Sequence, residues 1–281
     1  LLNGREMTLA QLKNAVKSGA RPSATIEEFV ESVIDTSTRS PQTKAAYHTL
    51  AREDGKYDKQ IRMNGICHDW IERWRSVMHT QGLSDNTIKG RLKQLHCLTQ
   101  EAIKRDLLPS DPFKWITIGN MTPKQEFLTR TELRRLERVS LSGREAKARD
   151  LFLLGAYTGL RWSDLTTLDE ADISGGIIRK RMYKTQRDVT IPIKTLFWGK
   201  GQEIIDRYRG TKKLLNLADN FKDVHTFMRT VNRALKQIGP RRHEVKDGKK
   251  RLVYESAFPD LSTYVARHTW ATIAYELEIP N

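Results

Sequence analysis

From residue 24 to residue 118 apolar positions recur every three or four residues, the period of helices with one buried face. The run TIEEFVESVI opens with Thr25 and, three residues on, Glu28, a capping-box pair for the free N–H groups of a first turn. Ile26, Phe29, Val30, Val33 and Ile34 then fall on one face. SPQTKAAYHTLARE predicts a second helix, with Pro41 in a first turn where a backbone N–H has no partner anyway. In NGICHDWIERWRSVMHTQG, Ile66, Trp70, Trp74, Val77 and Met78 share a side, and Gly82 ends the run. The tryptophans keep the spacing of Ile66 and Met78, which predicts core rather than a base-stacking platform. SDNTIKGRLKQLHCLTQEAIKRDLL turns Ile88, Leu92, Leu95, Ala102 and Ile103 inward until PSDPF, 109–113, breaks it.

The pattern changes after a linker, IGNMTPKQEF, at 118–127. LTRTELRRLERV predicts a helix capped by Thr129 and Glu132. In AKARDLFLLGAYTGLRWSDLTTL the unbroken apolar run 151–154 predicts a buried helix, ended by Thr158-Gly159, with a new helix from Ser163. GGIIRKRMYKTQRDVTIPI is the one convincing β segment: strands 177–183 and 189–193 around a polar turn at 185–188. Helical spacing resumes in DVHTFMRTVNRALKQIG. PRRHEVKDGKKRLVYE then reads as a basic stretch before a last helix, on which Ala266, Trp270, Ile273 and Leu277 are expected to pack. The whole is a mainly α chain of two domains: a helical one at 24–118, and a mixed α/β one at 127–281 with a small antiparallel sheet. Residues 1–23 form a separate N-terminal arm or segment.

Charge narrows the class of partner. Lys and Arg number 49 against 34 Asp and Glu, a net charge of +15, which favours a polyanion, nucleic acid first among them. An anionic membrane surface is the alternative, but it calls for a basic amphipathic helix with a bulky apolar face, and none is present. Neither a membrane-spanning run nor a signal-peptide pattern appears. Cys67 and Cys97 make no disulfide framework, which suits a reducing cytosol. Cys67-His68 and His96-Cys97 lack the paired spacing of a zinc site, and neither a nucleotide-binding Gly-Lys-Ser/Thr loop nor a nuclease-like acidic cluster is present. No metal is expected.

Some basic and polar side chains could touch DNA. Asn86, Lys89, Arg91 and Lys93 lie on the outward part of the fourth helix, either as a solvated face or as a surface that contacts phosphates. In the second half Arg161 sits between a buried helix and the next one, held by backbone on both sides, which suits bidentate capture of a phosphate. Lys184 is at the hairpin tip. Tyr264 and Arg267, three apart, project from one face of the last helix, with His268 within reach of Tyr264. Each has a plain structural alternative: a helix-start ion pair of Arg161 with Asp164, an ordinary hairpin lysine, a buried arginine, a core histidine.

The order of these segments resembles the tyrosine recombinase family, in particular integrases of phages and conjugative elements. AYTGLRWSDL looks like its first arginine motif, with Arg161 in the arginine slot and Asp164 in the acidic slot that braces it. YKTQRDVTIPI looks like its lysine hairpin, with Lys184 in place, and STYVARHTWAT like its second arginine box, with Arg267 followed by His268. The first half resembles the family's helical core-binding domain. The resemblance implies a site-specific recombinase or integrase that cleaves and rejoins double-stranded DNA through a 3′-phosphotyrosine, without cofactor, metal or ATP. It also implies a bacterial, cytoplasmic, nucleoid-associated protein whose two domains clamp the duplex. It would be a monomer in solution and a homo-oligomer, tetrameric at synapsis, on DNA. Tyr264 stands where the family usually has a histidine. A tyrosine can hydrogen-bond to a phosphate oxygen but holds its proton at neutral pH. The resemblance places the nucleophilic tyrosine a few tens of residues past the second box, beyond Asn281, so residues 1–281 are expected to bind DNA without cutting it. A non-catalytic DNA-binding regulator with the same fold is the alternative.

Overall fold

The computed structural model describes residues 24–58, 61–122, 126–210, 224–247 and 249–278. The arm expected at 1–23 lies outside them. The chain divides into two compact units, 1–123 and 124–281. It is mainly helical, with small antiparallel sheets in the second unit.

The first unit holds α1 (Ile26–Asp35), α2 (Pro41–Tyr57), α3 (His68–Thr80) and α4 (Asp85–Lys104). At the start of α1, Glu28 N–H donates to the Thr25 hydroxyl at 3.2 Å and Thr25 N–H to the Glu28 carboxylate at 2.8 Å, so the sequence pair is a formed capping box. The expected inward residues make up most of one core, with Phe29, Trp74, Leu92 and Leu95 among its most buried members. Trp70 and Trp74 stack with ring centroids 5.7 Å apart inside that core. Ile34, Val77 and Ile103 are only half-buried, and Ile71, outside the expected stripe, is fully buried.

In the second unit, α5 (Arg130–Arg138) is capped by Thr129 and Glu132 as predicted. α6 (Gly143–Thr158) is buried at every position from Asp150 to Thr158, so it forms the centre of the unit. The short α7 (Trp162–Thr166) begins one residue before the expected Ser163. β1 (Ile173–Ser174), β2 (Ile177–Arg181) and β3 (Asp188–Ile191) form an antiparallel sheet in that order, with Ile178 opposite Ile191. The two long strands are shorter than predicted: Met182 N–H donates to Arg187 and Gln186 N–H to Met182, closing the turn early, and Pro192 has no N–H to continue the ladder. α8 (Lys200–Arg207) was not anticipated. It is clasped to α6 through the buried carboxylate of Asp150, which accepts from Arg149, Arg207 and Tyr208.

α9 (Val224–Lys236) follows the helical pattern. The basic stretch after it corrects the expectation of a single β segment, because it folds as a second hairpin, β4 (Arg241–Lys246) and β5 (Lys249–Tyr254). Its charged alternation carried no apolar face for a strand reading. α10 (Thr263–Glu276) buries Ala266 and Ile273, but Leu277, past its last turn, is exposed rather than packed. Among the described residues no helix is long and apolar enough to cross a membrane.

Candidate active site

The site is built on one glycine. Gly159 ends α6 in the left-handed conformation, φ +66°, which side-chain-bearing residues rarely adopt. A Cβ there would lie 2.6 Å from the Trp270 ring, so only glycine lets α10 approach this turn so closely. Along the same crossing, a Cβ on Gly155 would be 3.2 Å from that of Ala266. α10 is therefore seated on the last turn of α6, and its Arg267 donates Nη1–H to the Gly159 carbonyl oxygen. Two residues past that carbonyl, Arg161 is the N-cap of α7 in extended conformation. The two arginines of the sequence motifs, far apart in the chain, meet at one turn.

The two guanidinium groups influence each other electrostatically. Burial and then the Arg161 guanidinium lower the pKa of Arg267, while Asp164 and Tyr264 act in the opposite sense. Arg267 stays a cation, so a bound anion would relieve the cost of holding two guanidinium groups close together. Asp164 is fully buried. It makes no ion pair with Arg161. Its Oδ1 accepts from the backbone N–H of Tyr183 at 2.7 Å, and its Oδ2 has no hydrogen-bond partner. The carboxylate thus ties the helix after Arg161 to the hairpin that carries Lys184, which is exposed in the turn between β2 and β3. Tyr264 is 67% exposed, and its ring meets the half-buried His268 edge-on at 4.5 Å. Arg161, Lys184, Arg267, Tyr264 and His268 all belong to the second unit, on three segments joined by Gly159 and Asp164.

The helical face of the first unit is less open than its sequence implies. The Asn86 amide is engaged with Thr122, donating to its carbonyl at 2.6 Å and accepting from its N–H at 2.9 Å. Lys89 is half-buried beside Gly119, and the Met121 side chain lies against Gly90. Arg91 is half-buried and Lys93 exposed. Asn86 fastens the segment leaving the domain. Nothing in helical periodicity signals this, since the partner lies 36 residues on. Sequence reasoning also missed the Tyr183 amide as the partner of Asp164 and the part played by Trp270 in fixing α10. The Thr-Gly dipeptide before Leu160 was the available signal for the turn itself.

Comparison with known proteins agrees with this architecture. Residues 24–121 match the phage integrase SAM-like domain family. A search of curated proteins found no significant match. Among solved structures, a Tn1549 transposon integrase in complex with a circular intermediate DNA aligns over 92% of this chain and 89% of its own, with TM-score 0.67 and 16% identity. A lambda integrase tetramer bound to a Holliday junction aligns over 98% and 75%, with TM-score 0.72 and 17% identity. A lambda integrase dimer bound to a COC′ core site gives TM-score 0.69 over 98% and 76%, at 16% identity. Residues 24–121 thus match the phage integrase SAM-like domain, and the chain as a whole shares the fold of these integrase structures.

Proposed function

We propose that this chain is the DNA-binding and phosphate-activating part of a site-specific recombinase that integrates or excises a mobile element through a 3′-phosphotyrosine intermediate. The observation that carries the reading is the convergence of Arg161 and Arg267 on the Gly159 turn. In this reading the scissile phosphate enters between them. With Nη1 of Arg267 committed to Gly159, its other N–H groups and those of Arg161 hold the non-bridging oxygens, and they hold them more tightly as charge builds up in the transition state. A tyrosine gives up its hydroxyl proton to solvent as its oxygen bonds to phosphorus, the bond to the 5′ oxygen breaks, and Lys184 supplies the proton that oxygen takes up. Bond energy is kept in the phosphotyrosine, so rejoining is the same exchange in reverse.

Tyr264, exposed beside the arginines, donates a hydrogen bond to a phosphate oxygen in place of the usual histidine, with His268 packed edge-on behind it. The attacking tyrosine is expected, from the family's motif order, outside residues 1–281. Both units contact the duplex, which the excess of cations and the DNA-bound relatives support. Assembly into a tetramer on DNA follows by the same likeness.

The test uses protein produced from the complete natural reading frame and a nicked duplex carrying its own attachment site, recovered by sequencing the genomic fragments it retains. An adduct that survives denaturation and yields phosphotyrosine on hydrolysis is the expected result. Tight binding of that duplex with no adduct would overturn the enzymatic reading in favour of a DNA-binding regulator.

A further inference from the structure

We propose that the β4–β5 hairpin is a second DNA-contacting arm, a basic two-stranded ribbon that lies against phosphates flanking those held at the arginine pair. The inference rests on the DNA reading above and adds a surface to it.

Two independent features of the hairpin call for a partner. The first is charge: residues 241–254 hold six Lys and Arg against two acidic residues, a net +4 where the whole chain of 281 has +15. The second is exposed apolar surface. The register pairs His243 with Leu252 and Val245 with Lys250, so Arg241, His243, Val245, Lys250, Leu252 and Tyr254 share one face. On that face Val245 is 72% and Leu252 43% exposed. A two-stranded hairpin is marginal in water by itself, and β4 is exposed at every described side chain.

Its base, by contrast, is built to hold it in place. Glu255 N–H donates to Pro240 and Ala257 N–H to Ile238, both at 2.9 Å, beside the buried Ile238 and Phe258. Arg241 lies over the Tyr254 ring and pairs with Glu145 at 3.0 Å. Thr263 N–H, opening the helix of Arg267, donates to Asn232 on α9, the helix that leads into the hairpin. The arm is therefore fixed to the frame that carries Arg267.

Lys250 lies on the face of Val245 and Leu252, while Arg251 and Arg242, the latter paired with Glu244, lie on the other. The hairpin thus matches a ribbon seated in a groove, with apolar side chains to sugars and groove edges and cations to the phosphates on either side. A lipid surface would need a broader apolar face than Val245 and Leu252 provide.

The experiment measures affinity for a labelled duplex of about 30 base pairs of mixed sequence across a salt series. In the Arg242→Gln/Lys250→Gln/Arg251→Gln variant, losing two or three phosphate contacts should reduce the slope of log affinity against log salt by about 2 to 3, with affinity at physiological salt down about tenfold or more. Val245→Ser/Leu252→Ser should weaken binding and leave the slope unchanged. A triple variant with wild-type slope and affinity would overturn the inference while leaving the DNA reading intact. Wild-type protein that binds no duplex would bring down both. Wild-type binding to phosphatidylserine vesicles tighter than to duplex, and lost in the triple variant, would assign the arm to lipid and overturn the proposal.

Discussion

The second unit contains two antiparallel hairpins of opposite character. β2–β3 is embedded: Ile178 is fully buried, Met182 and Ile193 lie in the same core, and the turn is anchored through Tyr183 to Asp164. Among the described side chains of β4–β5 none is buried, and the hairpin depends on pairing with itself and on a tight base. Apolar contacts fix the first from one side, so it can present a single side chain, Lys184, in a constant position. The described side chains of the second are exposed or half-buried. One hairpin is seated in a core and the other is an open surface, and the difference lies in where the apolar residues go.

That contrast can be broken by substitution. Ile178→Ala should cost about 2–5 kcal/mol in urea unfolding, as large-to-small core changes do, whereas Leu252→Ala should stay within about 0.5 kcal/mol. Equal losses would mean that the second hairpin is packed as well. Glycines mark a second difference, between the base of β4–β5 and the turn from β1 into β2. A Cβ on Gly239 would lie 2.0 Å from the Glu255 carbonyl oxygen, so the backbone at the base must move. Gly239→Ala should cost about 2–3 kcal/mol and remove hydrogen-exchange protection from 241–254 alone. Gly175, φ +61°, has open space around it, and Gly175→Ala should cost only the left-handed strain, about 1 kcal/mol. Protection unchanged in Gly239→Ala would show that the base does not hold the ribbon. The smallest effect belongs to the partly exposed pair of Arg241 with Glu145: Glu145→Ala should change stability by about 0.2–1 kcal/mol, and a larger loss would make that contact a principal support of the base.

The same contrast explains what the sequence revealed. The helices with a clean apolar stripe and a capping pair, Thr25 with Glu28 and Thr129 with Glu132, were readable because both signals are local. So was β2–β3, whose alternating residues point into a core. β4–β5 was not, because exposed strands need no apolar face. α8 was missed because only Gly201, Ile204 and Ile205 of it are buried, too few positions to establish a period. Within the site, residue types and their order were legible, but their contacts were not. Arg267 reaches a carbonyl 108 residues away, and Asp164 serves a backbone amide instead of the expected neighbouring arginine. Asn86, read as part of an open face, is committed to Thr122. Long-range polar partners leave no periodic trace.

The central claim is that Arg161 and Arg267 hold a phosphate for reaction instead of holding the protein together. The most direct measurement compares Arg267→Ala with wild type, both from the complete reading frame, for duplex affinity and for covalent adduct on the nicked attachment site. The account predicts adduct reduced by about a hundredfold or more, as for loss of a transition-state donor, with duplex affinity close to wild type. Affinity and adduct falling together, with a lowered melting temperature, would contradict it and make Arg267 a structural residue.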